Sequence, residues 1–225
     1  MDLLDSYGIF YVIRTRASTK VFVRGEWRRL QTLRFVTNSR RRNVGQVRYC
    51  ESHPHRAWVS LSRVKDQNGK PITDAEVDVW HSSPEGFYEQ QDPKQAPMNL
   101  RGKFMTDLQG HFSFRSVKPA GYPIPIDGPV GDLVRATGRH NYRPAHLHFL
   151  IFKEGFKTLI SQVYVNDDDK LETDVQFGVT RALVGNYVRH NGPAPASDVK
   201  GEWYSLDQTF VMETGKSRLP KPPSQ

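Results

Sequence analysis

The sequence predicts a mainly β protein, an antiparallel β-sandwich with long active-site loops and an irregular N-terminal segment. Three observations carry this. From about residue 57 the chain breaks into short runs rich in Val, Ile, Phe, Tyr, Trp and Thr, the types favoured on a pleated surface. Turn residues separate those runs at regular spacing, as in sandwiches. Helical periodicity is weak throughout.

The elements follow in order. Residues 1–56 show no clean period; 9–13 reads as a short strand or half-helix, and 14–30 gives mixed signals. Residues 58–64 alternate and end at Asp66-Gln67-Asn68-Gly69, where Asn-Gly signals a tight turn. Residues 75–80 set Glu76 and Asp78 against Val77 and Val79. Segments 103–106 and 111–117 flank Asp107-Leu108-Gln109-Gly110 and read as a hairpin. Segments 145–152 and 159–165 flank Lys153-Glu154-Gly155 and read as a second one. A last strand is expected over 203–213. The Pro-rich end from Pro220 has too little apolar surface to order itself and is expected to be disordered. The organisation is thus a basic N-terminal segment over 1–56, a β-sandwich over 57–219 and a tail over 220–225. Two long connections, 82–101 and 119–142, are rich in Gly, Pro, Asp and Gln; loops of that length in a compact domain usually serve function.

The totals exclude several classes. The chain has 225 residues, 37% hydrophobic and 25% charged, as in globular proteins. One cysteine, Cys50, excludes an internal disulfide framework and any multi-cysteine zinc site. No apolar run approaches the roughly 20 residues of a membrane span, and the N-terminus lacks the pattern of a secretory signal, so a cytoplasmic protein is expected. The net charge of +8 is confined to the start: residues 1–60 hold 12 Lys/Arg against 4 Asp/Glu, and the rest of the chain holds 20 of each sign. No aromatic residues interleave with Arg40, Arg41 and Arg42, so a solvated leader is expected rather than a nucleic-acid-binding arm.

The densest chemical signal is Arg143-Pro144-Ala145-His146-Leu147-His148, followed by Phe149, Leu150, Ile151 and Phe152. That run favours a strand. Side chains alternate faces along a strand, so His146 and His148 project to one side with stems roughly 6.6 Å apart, within reach of one ion. Leu147, Phe149 and Ile151 then face a core. An isolated His-x-His is more often a hydrogen-bonded pair than a metal site. Each long loop also carries a tyrosine in a constrained setting, Gly86-Phe87-Tyr88 and Gly121-Tyr122-Pro123-Ile124-Pro125. Proline after Tyr122 holds that residue extended and limits where its phenol points. Singly, each tyrosine is more often a packing residue with a satisfied hydroxyl.

The combination is more specific. Asp78-Val79-Trp80-His81, the two tyrosine motifs, Gly138-Arg139-His140 and Arg143-Pro144-Ala145-His146-Leu147-His148-Phe149, in that order, resemble the intradiol ring-cleavage dioxygenases. These are non-haem iron(III) enzymes that open catechols between the two hydroxyl-bearing carbons. The similarity runs from about Lys65 to about Gly215. Asp127-Gly128-Pro129 and Arg135-Ala136-Thr137-Gly138-Arg139-His140 make the hydroxyquinol 1,2-dioxygenases the most similar branch. The resemblance implies Fe(3+) as cofactor, held by Tyr88, Tyr122, His146 and His148. Hard iron(III) favours anionic oxygen donors, and each ligand binds in its deprotonated form. Two phenolates and two neutral imidazoles leave a net charge of +1. The resemblance further implies that a small aromatic diol or triol binds with O2 as co-substrate, that Tyr122 leaves the metal and takes up a substrate proton, and that benzene-1,2,4-triol is cleaved to maleylacetate. Arg143, three residues before His146, would stabilise negative charge developing on the ring. Gln162 would orient substrate or oxygen, and Ile124 and Pro125 would wall the substrate pocket. A plainer role for Arg143 is a surface ion pair with a carboxylate such as Asp127.

The chain departs from the family at its start. Relatives usually carry a longer helical N-terminal region that builds a homodimer and holds lipid, whereas about 65 residues precede the matching part here. The Leu-Gly-Pro-Phe type segment that lines the family's pocket is also absent; the nearest text, Gln31-Thr32-Leu33-Arg34-Phe35, has Arg34 in place of Gly-Pro. One explanation is a truncated or mis-spliced gene model, or one translated out of frame there, in which case the homodimer, the lipid binding and one wall of the pocket are not carried over with the resemblance. Other readings are a catechol or chlorocatechol 1,2-dioxygenase giving cis,cis-muconates, and a non-catalytic transthyretin-like binding module. A cupin leaves both tyrosine motifs unexplained. A 2-His-1-carboxylate iron(II) oxygenase would want His-x-Asp or His-x-Glu.

Overall fold

The computed structural model describes residues 57–193 and 201–218, with side chains from Ser60 onward, and the backbone of three short strands ahead of them. Those three are β1 (Tyr11–Thr15), β2 (Ser18–Phe22) and β3 (Val44–Gln46). There follow β4 (Ala57–Asp66), β5 (Glu76–His81), β6 (Arg101–Met105), β7 (His111–Val117) and β8 (Tyr122–Pro123). A helix, α1 (Pro129–Ala136), precedes β9 (Tyr142–Arg143), β10 (His146–Phe152), β11 (Leu159–Val165), β12 (Val184–Gly185), β13 (Tyr187–His190) and β14 (Trp203–Met212).

The expected sandwich is present. One five-stranded sheet runs β12-β11-β10-β5-β6, the other β13-β14-β4-β7-β3. Neighbours close in sequence pair antiparallel, as β10 does with β11 and β4 with β7. The pairings of β14 with β4, β3 with β7 and β11 with β12 are parallel, so both sheets are mixed. The ten-residue register from Trp203↔Ala57 to Met212↔Asp66 joins strands far apart along the chain, where no tight turn forces reversal.

Between the sheets lies an apolar core. Leu147, Phe149 and Ile151 of β10 are each 0% exposed, as their alternation predicts. Phe149 packs on Phe210 with ring centroids 4.6 Å apart, and Phe104 on Phe114 at 5.0 Å. These contacts correct one expected hairpin. Segments β6 and β7 lie in opposite sheets, and the turn at 107–110, closed by Asp107 N–H donating to His111 O at 2.8 Å, carries the chain across the core. Alternating phenylalanines meet their partners equally well across a sandwich and along one sheet, so alternation alone does not distinguish the two. The second hairpin forms as expected, with Gly155 at φ 86 in its turn.

The opposite face of the β5–β10–β11 sheet is also covered. Trp80, Tyr88, Tyr122, Ile124, Leu150 and Val175 form a second apolar cluster, against which Val130 and Val134 of α1 pack. The segment's composition predicts a long loop, where the structure has a helix. Its signals are short but present: Pro129 in the first turn, apolar Val130 and Val134 four apart, and Gly138 at φ 64 just past its end. Among the described residues, no helix is long and apolar enough to cross a membrane. The expectations for the arginine-rich run at 40–42, Cys50 and the tail at 220–225 lie outside the described residues. Of the 9–13 expectation, the described part is β1, a strand that pairs with β2.

Asp78 stands out on β5. It is 9% exposed, Lys103 Nζ lies 3.4 Å away but bonds Glu76 more closely at 2.6 Å, and Oδ2 has no hydrogen-bond partner among the described residues. Burial pushes its carboxyl up to about 6, against the pull of Lys103. A folded-state value above the ordinary 3.8 means that the folded chain holds this proton more tightly, so stability falls as pH rises from about 4 to about 6. Asp78→Asn is therefore expected to raise unfolding stability at pH 7.5 by on the order of 1–3 kcal/mol, with no gain at pH 4. Urea unfolding at both pH values checks this; a variant less stable than wild type at pH 7.5 contradicts it.

Candidate metal centre

β10 supplies two donors from adjacent outward positions. His146 and His148 are 1% and 5% exposed, and their Nε2 atoms lie 3.1 Å apart. His146 Nδ1 sits 2.7 Å from the carbonyl of Pro144. A carbonyl only accepts, so Nδ1 carries the proton and Nε2 presents a bare lone pair to the centre. Trp80, directly opposite His148 in the β5–β10 register, stacks on its ring at 4.9 Å and 4° and fixes the ring plane.

The long loops supply the other two donors. Tyr88 Oη lies 3.1 Å from Tyr122 Oη and 3.0 Å from His148 Nε2. The rings of Tyr88 and Tyr122 meet edge to face at 5.3 Å. Tyr122 is placed by β8, which pairs with Arg143 of β9. The two loops meet at Gly86, whose φ is +82; a Cβ there would stand 3.3 Å from Tyr122 Cβ and 3.2 Å from Gly121 O. Only glycine meets both demands without strain.

The four donor atoms therefore run in series, Tyr122 Oη, Tyr88 Oη, His148 Nε2 and His146 Nε2, with successive separations of 3.1, 3.0 and 3.1 Å. A first-row ion about 2.1 Å from each donor would set neighbouring donors roughly 3 Å apart at near-right angles. The donor set fits such an ion chemically as well. Burial holds the Tyr88 phenol well above its ordinary range, with Tyr122 adding to the effect, so ionising it calls for a strong local positive charge. Burial also lowers His146 to about 3, helped by Arg143, and lowers His148, keeping both imidazoles neutral as ligation requires. Among the described residues, no group of three or more His, Cys, Asp or Glu is placed to hold a metal.

Beside the donors lies a charged network. Arg143 is 2% exposed, and its Nη1 is 3.2 Å from His146 Nε2. Nη2 donates to Gln162 Oε1 at 2.9 Å and to the Tyr164 hydroxyl at 2.6 Å. The carboxylate it pairs with is Asp174, at 3.4 Å and also buried, rather than Asp127, which is exposed. Burial opposes the guanidinium charge, but Tyr122, Tyr164 and Asp174 outweigh it and raise the group further. Ile124 is 4% exposed in the apolar cluster beside Tyr122, whereas Pro125 is exposed to solvent. Every singled-out residue except Pro125 is thus gathered at one buried place. Sequence reasoning missed Trp80, Tyr164 and Asp174 as parts of it. Register finds the first, which faces His148 across the strands, and two-residue spacing finds the second, which shares a strand face with Gln162.

A family model described as "Dioxygenase" matches residues 35–206. The chain is 44% identical over 154 residues to hydroxyquinol 1,2-dioxygenase of Rhizobium sp. (strain MTP-10005), covering 67% of this chain and 52% of that protein. It is 46% identical over 156 residues to catechol 1,2-dioxygenase of Candida albicans, covering 69% of this chain and 51% of that protein. Among solved structures, hydroxyquinol 1,2-dioxygenase from Pseudomonas putida DLL-E4 superposes with a TM-score of 0.68 at 34% identity, covering 78% of this chain and 63% of that one. The chain spans about half the length of the curated relatives it matches.

Proposed function

Because the chain belongs to the intradiol ring-cleavage dioxygenase family, we propose that it is a non-haem iron(III) dioxygenase that opens the ring of benzene-1,2,4-triol (hydroxyquinol) with O2 to give maleylacetate. The observation that carries this reading is the buried cluster of two phenols and two imidazoles, whose donor atoms follow one another at 3.0–3.1 Å from Tyr122 through Tyr88 and His148 to His146. Tyr88, Tyr122, His146 and His148 would hold Fe(3+) through Tyr Oη and His Nε2. The catalytic unit in this reading is residues 57–219.

Bound iron(III) supplies a Lewis-acidic seat for the deprotonated diol and makes its ring reactive toward O2. The chain's own groups do the rest. Tyr122 takes a proton from a substrate hydroxyl at its Oη. Arg143, held with Nη1 beside the donors, stabilises negative charge that develops on the ring. Gln162 orients substrate or oxygen through its amide. Ile124 walls the ring on its apolar side. Both atoms of O2 enter the product.

Hydroxyquinol is favoured because it is the substrate in the name of the Rhizobium relative and of the Pseudomonas putida structure. Catechol, giving cis,cis-muconate, is the second reading, supported by the 46% identity to the Candida enzyme. The test follows oxygen uptake and product after benzene-1,2,4-triol or catechol is added separately to iron-loaded protein, with iron-free protein as control. One O2 consumed per ring cleaved, faster with the triol, is expected. Uptake no greater than the iron-free control with both compounds defeats the reading.

A further inference from the structure

We propose that Asp174 is a positioning residue for this reaction, holding the guanidinium of Arg143 and, with Tyr164, the amide of Gln162 in one buried network beside the four donors. The inference rests on the function proposed above. It assigns part of the site to the loop 174–178, which neither strand pairing nor sequence motif marks.

Arginine carries five N–H donors and no acceptor. Each edge of Arg143 is directed: Nε to Asp174 Oδ1 at 3.4 Å, Nη2 to Gln162 Oε1 at 2.9 Å and Tyr164 Oη at 2.6 Å, and Nη1 toward His146 Nε2 at 3.2 Å. Asp174 is itself held. Its Oδ2 accepts from Gly178 N–H at 2.8 Å and its Oδ1 from Gln176 N–H at 3.3 Å. The loop is tied from the other side by Arg139, which donates to the carbonyls of Asp174 at 2.8 Å and Val175 at 3.1 Å. His140 Nε2 lies 2.8 Å from Thr173 Oγ1. Arg139, His140 and Arg143 thus grip one loop, and through Asp174 the loop fixes the guanidinium.

The same network settles the orientation of Gln162. Arg143 can only donate, so the amide atom that faces it must be oxygen, and the Tyr164 hydroxyl donates to that oxygen at 2.6 Å. The amide nitrogen, with two donors, is thereby turned the other way. Gln162 stands opposite His148 in the strand register, hence on the face that carries the donors. Packing leaves no slack: a Cβ on Gly178 would lie 2.7 Å from Tyr164 Oη and 3.2 Å from Arg143 Nη2.

A double-mutant cycle on the iron-loaded chain with benzene-1,2,4-triol tests this. Asp174→Asn is expected to lower kcat about 10- to 100-fold, the scale on which outer partners of a metal site act, with iron content and visible absorption as in wild type. Arg143→Ala also lowers kcat, and in its background Asp174→Asn is expected to cost less than about twofold, because the group it positions is gone. Tyr164→Phe, which keeps the ring, replaces Asp174→Asn in the cycle if the latter does not fold. Wild-type kcat in the single variant, an equal loss in both backgrounds, or lost iron overturns the proposal. Wild-type protein that binds iron without turning over substrate would instead overturn the function proposed above, before any variant is made.

Discussion

Tyr122→Phe is expected to fold, to retain bound iron and to lose about 10²- to 10⁴-fold in kcat, the usual contribution of a positioned acid–base group. The substitution keeps the aromatic ring that meets Tyr88 edge to face and removes a single oxygen. The backbone pairing of Tyr122 with Arg143 does not depend on that oxygen. Folding should therefore survive, and Tyr88, His146 and His148 remain to hold the ion. What disappears is the oxygen proposed to accept a substrate proton. Steady-state oxygen uptake with iron content measured on the same sample checks this. Cleavage at the wild-type rate would remove Tyr122 from its role as base while leaving the fold untouched.

The second large effect falls on binding. His148→Ala is expected to weaken iron binding by more than about 100-fold, since changing even an outer partner of a metal site costs 10–100-fold. His148 Nε2 lies 3.0 Å from Tyr88 Oη and 3.1 Å from His146 Nε2, so its removal opens one side of the cage. The ring also stacks on Trp80, and its loss leaves a gap there. A thermal unfolding scan therefore accompanies the measurement, to separate lost iron from lost fold. Elemental analysis after dialysis should find little iron in folded variant. Full occupancy would take His148 out of the donor set.

The two predictions rest on parts of the site that were unequally visible in the sequence. His146 and His148 could be placed on one strand face by period two alone, and the buried Leu147, Phe149 and Ile151 bear that out. No periodicity relates Tyr88 to Tyr122; their 3.1 Å contact is made by two loops whose course depends on the whole sheet, and only the family resemblance joined them. Asp174 was invisible for a similar reason, lying in a loop that folds back onto Arg143 from 31 residues away. The β10–β11 hairpin follows from turn chemistry, but the parallel pairing of β4 with β14 joins segments with no local signal between them. The crossing from β6 to β7 is not legible locally, because a turn states where the chain reverses, not which sheet it enters.

Tyr88, Tyr122, His146 and His148 are proposed to close around a single ferric ion. The visible absorption spectrum of the iron(III)-loaded chain, read with its iron content, tests it most directly. One iron per chain is predicted, with a tyrosinate-to-iron band in the visible that changes in both Tyr88→Phe and Tyr122→Phe. A colourless protein at full iron content, or a band that neither substitution alters, would contradict it.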